Sequence, residues 1–160
     1  MKQIVLLLAV TALFIVAVGL LSKNQGKFIG GFPSPTPIKE EIKIGDLAIQ
    51  VEVADNQEEK AKGLSGRKSL GENEGMLFVF ENSYPSFWMK EMLIPIDIIW
   101  INDGKVVKIH KDIQPEPGKT TSELTLYRPD QPIDYVLEVN AGFSDKNAVK
   151  SGDLVDLSRI

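Results

Sequence analysis

Apolar and polar residues alternate in short runs along most of the chain after residue 38. The segments 42–44 and 47–53 follow this pattern on either side of Gly45-Asp46. A period of two places every second side chain on the same face of a strand. A two-residue connection with glycine first is typical of a tight antiparallel hairpin. We therefore predict two paired strands at the beginning of the domain.

More segments of strand length follow this hairpin. The unbroken apolar run Met76–Phe80 is typical of a central strand that is buried on both faces. Before it, Asp55 and Glu58 have the spacing of a capping box, which predicts a short helix that begins at Asp55 and is ended by Gly63 and Gly66. The remaining predicted strands cover residues 86–90, 96–101, 105–110, 133–139 and 154–157.

These elements predict a mostly β fold with about eight short strands and one or two short helices. A β-sandwich or a partly closed barrel is the architecture that such a series of strands and turns favours. Residues 39–160 form this predicted domain. Its segment 112–132 contains four prolines and is too long for an ordinary connection, so we expect a functional loop there, at the rim of a pocket.

The first 38 residues have a different composition. Residues 4–21 are 18 consecutive positions without a charge. As a helix they would span about 27 Å, close to the hydrocarbon thickness of about 30 Å. We therefore predict that residues 1–22 are an uncleaved membrane anchor, with a cleaved signal peptide and a secreted domain as the alternative. Residues 23–38, rich in Pro, Gly and Ser, are predicted to be a tether.

Orientation and charge restrict the expected partners. A short N-terminal flank favours an anchor with the domain on the extracytoplasmic side. Residues 39–160 hold 15 Lys and Arg against 22 Asp and Glu, a net charge of −7. Because this charge repels phosphate, we expect no nucleic-acid partner.

Metal and cofactor sites are not expected either. The chain has no cysteine, which excludes disulfides and cysteine-ligated metals, and its one histidine, His110, excludes a two-histidine site. No glycine-rich phosphate-binding pattern is present. We expect His110 to be a surface or hydrogen-bonded residue.

Several motifs, taken together and in order, resemble one family. They are Gly63-Leu64-Ser65-Gly66-Arg67, Glu74-Gly75-Met76-Leu77-Phe78-Val79-Phe80, Phe87-Trp88-Met89-Lys90, Ile94-Pro95-Ile96-Asp97 and Val136-Leu137-Glu138-Val139, followed by Gly142 and Gly152-Asp153. Over residues 42–158 the chain resembles the DUF192 family of uncharacterised bacterial and archaeal proteins. The resemblance implies a compact β-sandwich-like domain, often behind a signal or anchor segment, and it implies no activity.

Trp88 and Lys90 are the first candidate site residues. On a strand, residues two apart point to the same face. An aromatic plate beside an ammonium group could hold a sugar ring, an anionic ligand or a peptide. The alternative is a tryptophan in the core and a lysine in solvent.

Asp97 is the second candidate, because it lies inside the apolar run 96–101. A carboxylate in such a place must be exposed, protonated or paired. Arg67 and Lys90 are its candidate partners, and Glu74 could join them. The result would be either a structural salt bridge or part of a ligand pocket.

The candidate ligand-binding residues are therefore Arg67, Glu74, Trp88, Lys90 and Asp97. Our first hypothesis is a membrane-tethered binding or accessory module of the cell envelope, for a small molecule, glycan or peptide. The second is a hydrolase or lyase that acts on an envelope glycan or peptide, with carboxylates such as Glu74 and Asp97 as acid and base. The third is a structural or assembly protein. The absence of a recognisable catalytic motif favours the non-enzymatic hypotheses.

Overall fold

A computed structural model describes residues 39–160 of this protein, so the predicted anchor (residues 1–22) and tether (residues 23–38) lie outside the described residues. The strands within this range are β1 (Lys39–Ile44), β2 (Leu47–Ala54), β3 (Glu74–Ser83), β4 (Ile96–Asn102), β5 (Lys105–Ile113), β6 (Ile133–Asn140) and β7 (Val155–Asp156). The helices are α1 (Gln57–Lys62), a 3-10 turn (Thr121–Glu123) and α2 (Phe143–Lys146). None of the helices in the described part is long and apolar enough to cross a membrane.

The strands between residues 39 and 160 form one sheet, in the order β5-β4-β6-β3-β2-β1-β7. Neighbouring strands are antiparallel except β2 and β3, which are parallel and are connected through α1. The sheet curls into a half-barrel, and its two edges meet at one end. There Val106 N donates to Asp153 O at 2.9 Å and Val155 N donates to Gly104 O at 2.8 Å.

This architecture confirms the mostly β prediction and corrects its details. One curled sheet takes the place of the two packed sheets of a sandwich, and seven strands within residues 39–160 take the place of about eight. The predicted strand 86–90 does not form: only Phe87 pairs, through a bridge to Tyr127. Pro85 has no N–H to donate, and Glu91 turns the chain with a φ of 57°.

The helix α1 begins one residue later than the capping pattern predicted. Its N-cap is Asn56, whose side chain accepts a hydrogen bond from Glu59 N at 3.0 Å. Asn56 therefore satisfies a backbone donor that the helix itself leaves unpaired. The helix ends at Gly63, as the sequence predicted.

The central strands are buried on both faces, because apolar residues cover the sheet on each side. These apolar residues form two core clusters, one on each face of the sheet. Ile99 of β4 and Leu137 of β6 belong to the first cluster. Their chain neighbours Ile98 and Val136 belong to the second. The first face is covered by α2 and the turn after it. The second face is covered by residues outside the strands, namely Leu64, Phe87, Met89 and Met92. The candidate site lies on this second face.

Candidate functional site

A cavity of about 390 Å³ lies on the second face of the sheet, and we call it the Glu138 cavity. Its walls come from α1, from the turn 63–65, from β3 and from the segment 85–92, with Glu138 of β6 at the sheet. Four aromatic side chains line it: Phe78, Phe80, Phe87 and Trp88.

Edge-to-face contacts hold the aromatic walls in place. The ring centroid of Phe87 is 4.9 Å from that of Phe78, with an interplanar angle of 89°, and 6.1 Å from that of Phe80. Phe87 also contacts buried Trp100, at 5.6 Å between centroids. Such pairs stabilise a defined ring arrangement beyond the burial of their area. The aromatic rings of the cavity wall are therefore held in a defined arrangement.

Glu138 is a buried polar group in the wall of this cavity. It lies opposite Met76 of β3 and Ile98 of β4, and only 4% of its surface is exposed. Its Oε2 is buried and has no hydrogen-bond partner among the described residues. Burial raises the pKa of Glu138 from 4.5 to about 8, because an ionised carboxylate is poorly solvated there. At neutral pH most molecules therefore hold this carboxyl protonated, as a hydrogen-bond donor.

Three lysines line the same cavity: Lys60 and Lys62 from α1, and Lys90 from the segment 85–92. The Nζ of Lys60 lies 5.0 Å from the ring centroid of Phe80, within cation–π range. Glu138 is the one acidic residue among the described residues that line the cavity. Basic residues therefore outnumber acidic residues in the lining of this cavity.

Gly63 leaves room for the Glu138 carboxyl. Its φ of 49° and ψ of −137° belong to a region that residues with a side chain rarely adopt. A Cβ at this position would lie 3.3 Å from Cζ of Phe78 and 3.9 Å from Oε2 of Glu138. The end of α1 can approach β3 and β6 this closely because residue 63 is a glycine.

We expect Gly63→Ala to destabilise the domain by about 2 kcal/mol, since it adds backbone strain and crowds Phe78. The measurement is the free energy of unfolding in urea. Gly66→Ala is the matched control: Gly66 also has a positive φ, of 74°, but its Cβ would meet nothing within 4 Å. An equal loss in the two variants would contradict the close packing at Gly63.

The structure brings two of the predicted site residues to the Glu138 cavity. Trp88 and Lys90 both line it; Trp88 is 43% exposed and Lys90 is also exposed. Phe87, which precedes Trp88, and Met89, which lies between Trp88 and Lys90, are buried in the second core cluster. The predicted alternation of faces is therefore present although the segment is not a regular strand.

Arg67 and Glu74 do not line this cavity. Both nitrogens of the Arg67 fork donate to the two carboxylate oxygens of Glu52, which raises the pKa of Arg67. Glu74 accepts from Lys39 and from Gly71 N, and these hydrogen bonds lower the pKa of Glu74. Each of the two predicted site residues therefore already has an oppositely charged partner.

A larger cavity, of about 700 Å³, lies beside the Arg67–Glu52 pair. Its charged lining residues are Glu40, Glu52, Asp55, Glu59, Lys62, Arg67 and Arg159. Acidic and basic groups are mixed here, and the most buried pair is already joined by two hydrogen bonds. We favour the Glu138 cavity as the site because it holds a buried group without a partner.

The predicted pairing of Asp97 with Arg67 or Lys90 is wrong, since Asp97 pairs with neither of them. It is fully buried, on the opposite face of the sheet from Glu138. Oδ1 accepts from Asp112 N at 2.9 Å and from Gly142 N at 3.1 Å, and Oδ2 accepts from Ser144 N at 2.9 Å. Three backbone donors stabilise the carboxylate without a cation. Asp97 thus fixes the start of α2 and lies outside the cavity.

The other predicted features also have structural explanations. The hypothetical acid–base pair of Glu74 and Asp97 does not form, because each carboxylate has its own separate partners.

His110 accepts a hydrogen bond at Nδ1 from Nε1 of Trp100 at 2.8 Å, and burial lowers the pKa of His110. The segment 112–132 does not line the Glu138 cavity, so the prediction that it forms the rim is wrong for this cavity; its Tyr127 pairs with Phe87 of the cavity wall. No cluster of potential metal ligands occurs within residues 39–160.

The sequence pattern of DUF192, described as "Uncharacterized ACR", matches residues 40–157. This chain belongs to the DUF192 family. A solved structure of a protein of unknown function from Novosphingobium aromaticivorans DSM 12444 is similar to this DUF192 chain at 30% identity, over 78% of this chain and 89% of the other, with a TM-score of 0.68. The "putative transcription regulator" of Sinorhizobium meliloti 1021 is similar at 26% identity, over 79% and 99%, with a TM-score of 0.70. No curated protein matches the chain.

Four of the motifs on which the family resemblance rests meet at the Glu138 cavity although they are far apart in the sequence. It is lined by residues 63–65, by Phe78 and Phe80, by Phe87, Trp88 and Lys90, and by Glu138, and each of these four groups comes from a different motif. Sequence reasoning did not select Glu138 as a site residue. The available signal was its place inside the motif Val136-Leu137-Glu138-Val139, as the one charge in an otherwise apolar run.

Proposed function

We propose that this DUF192 protein is a membrane-tethered, extracytoplasmic binding module of the cell envelope, and that its ligand occupies the Glu138 cavity. The observation that carries the proposal is the buried Oε2 of Glu138, which has no partner among the described residues and lies at an aromatic-walled cavity. The uncharged segment 4–21 supports the membrane tether.

An unpaired buried carboxyl is costly for a folded protein. Transfer of a polar group from water without a hydrogen bond costs roughly 1–3 kcal/mol, and an ionised group costs more. A strand residue such as methionine would fill the same place without this cost. Perturbed groups of this kind concentrate at functional sites. Glu138 is therefore better explained by a ligand than by the stability of the fold.

The composition of the cavity supports binding over acid–base hydrolysis. Ligand pockets are mostly apolar, with a few polar groups that orient the ligand. Phe78, Phe87 and Trp88 give this cavity an apolar wall, while Glu138 is the single carboxyl in it within the described part of the chain. A two-carboxylate glycosidase arrangement needs a second carboxyl at the same place. The net charge of −7 on residues 39–160 also argues against DNA as the ligand of this chain.

A fragment screen by NMR tests the binding function directly. Residues 39–160 belong to one compact unit that contains both core clusters, so they can be studied in solution. We expect ring-bearing fragments to shift resonances of Phe78, Phe87 and Glu138. Trp88→Ala should lower the affinity of these fragments about tenfold, since aromatic side chains contribute strongly to binding.

The matched control for Trp88→Ala is Tyr84→Ala. Tyr84 is 65% exposed and does not line the Glu138 cavity, so its removal should leave fragment affinity unchanged. If fragments bound only in the larger cavity beside Arg67, or if none shifted the Glu138 cavity, the proposed site would be wrong. A structural or assembly role would then be favoured.

A further inference from the structure

We propose that the Glu138 cavity selects small organic anions that carry an apolar ring, and that the protonated carboxyl of Glu138 donates a hydrogen bond to an oxygen of the ligand. This inference rests on the proposed binding function and specifies the chemistry of its ligand.

The charges around the cavity favour an anion. Lys60, Lys62 and Lys90 line it, and none of them forms a salt bridge with any other residue in the range 39–160. Of the nine other lysines in the described part, five are paired with carboxylates: Lys39, Lys108, Lys111, Lys119 and Lys146. In a domain with a net charge of −7, three unpaired ammonium groups at one cavity attract a negative ligand.

The state of Glu138 agrees with this charge pattern. Its pKa of about 8 leaves it mainly neutral at pH 7, so it adds little negative charge to the cavity. A neutral carboxyl has one O–H to donate, and a hydrogen bond to a charged acceptor is stronger than one to a neutral acceptor. A cationic ligand would instead need the ionised carboxylate and would meet three ammonium groups.

The aromatic walls define the other half of the ligand. The rings of Phe78, Phe80 and Phe87 are held edge-to-face, and Trp88 is partly exposed at the same cavity. A planar or apolar ring can contact these surfaces by stacking or by edge contacts. A bare inorganic anion would leave this apolar wall without a contact. The combination of walls and lysines therefore favours an organic anion with a ring.

Three probes with nearly the same skeleton separate the charge classes: phenylacetate, phenylethanol and phenethylamine. Binding to the full chain in nanodiscs of zwitterionic lipid is measured by calorimetry at about pH 7. We expect phenylacetate to bind about tenfold more tightly than phenylethanol, and phenethylamine more weakly than both. Lys90→Met should reduce phenylacetate affinity by a few-fold and leave phenylethanol affinity unchanged.

The role of the proton is tested with Glu138→Gln and Glu138→Met. The charged groups that line the cavity together with Glu138 are Lys60 and Lys62 from α1 and Lys90 from the segment 85–92, while its neighbours on β3 and β4, Met76 and Ile98, are apolar. We expect phenylacetate affinity of the wild type to fall as pH rises from about 7 to about 9, because the donor is lost. The glutamine variant keeps an N–H donor, so it should bind with little pH dependence, and the methionine variant about tenfold more weakly.

The outcomes separate the two proposals. Tighter binding of phenethylamine, or phenylacetate affinity that rises with pH, would overturn the anion inference and leave the binding function in place. Failure of all three probes, together with a fragment screen that leaves the Glu138 cavity unshifted, would overturn both. Thermal unfolding of each variant shows whether a lost affinity reflects a lost fold.

Discussion

Glu138→Met is expected to stabilise the folded domain by roughly 3–5 kcal/mol at pH 8 and above, an effect opposite to that of most core substitutions. The wild-type carboxyl is buried between Met76 and Ile98, and its Oε2 has no hydrogen-bond partner within the described residues. Methionine has a similar volume and no polar oxygen. The substitution therefore removes a desolvation cost without opening a cavity.

The size of this effect depends on pH in a definite direction. The pKa of Glu138 is about 8 in the folded state against 4.5 for the group in water. The folded state therefore holds this proton more tightly, and the contribution of Glu138 to stability is greatest below about pH 4.5. As pH rises from 4.5 to about 8 this contribution is lost, because Glu138 ionises in the unfolded chain and not in the folded chain. The methionine variant should lack this loss.

Urea unfolding at about pH 5 and at about pH 8 measures the effect, since the two values lie near the ends of this window. Glu81→Met is the matched control, because Glu81 is exposed on β3, and it should change neither the stability nor its pH dependence. If Glu138→Met lost stability at both pH values, the carboxyl would have a structural role. If it also lost the binding of ring-bearing fragments, stability and function would oppose each other at this residue.

The strands were largely predictable from the sequence because their signals are local. The Gly45-Asp46 turn predicted the β1–β2 hairpin, and the predicted strands 96–101 and 105–110 correspond to the paired strands β4 and β5. The parallel pairing of β2 with β3 has no such signal, since it depends on the path of the chain through α1. The closure between β5 and β7 likewise joins residues about 50 positions apart. These long-range pairings determine whether the strands form a half-barrel or a sandwich.

The candidate site was predictable only in part. Alternation correctly placed Trp88 and Lys90 apart from the buried Phe87 and Met89. On β6, Glu138 shares its face with Asp134 and Val136, and charges at alternate positions of a strand usually indicate a solvent-exposed face. The face is instead covered by Phe87, Met89 and Met92, from a segment about 50 residues away. The apolar run around Glu138 is a local sign of burial, but it does not show which residues cover this face.

Asp97→Ala is expected to destabilise the domain by about 3–5 kcal/mol, a second large effect and the reverse of the first. Asp97 and Glu138 lie on neighbouring strands and on opposite faces, and both are buried. Asp97 accepts hydrogen bonds from the backbone N–H groups of Asp112, Gly142 and Ser144. Alanine would leave these three donors unpaired and would release the start of α2 from the sheet.

Chemical unfolding compares this variant with Asp97→Asn and with a matched control. Asparagine keeps one acceptor oxygen, so we expect an intermediate loss of about 2 kcal/mol. Asp134→Ala removes a carboxylate that accepts a single backbone bond, from Asp103 N at 3.0 Å, and should cost about 1 kcal/mol or less. A loss no larger for Asp97→Ala than for Asp134→Ala would contradict the structural role of Asp97.

Binding provides the second test of Asp97, which the sequence had grouped with Trp88 and Lys90 as a ligand residue. Because Asp97 is on the face opposite the Glu138 cavity, the folded fraction of Asp97→Asn should bind ring-bearing fragments as the wild type does. Weaker binding without unfolding would mean that the two faces are coupled through β4 and β6. Unchanged binding with lower stability would assign the two buried carboxyls to different tasks, since Asp97 stabilises the fold and Glu138 is available to a ligand.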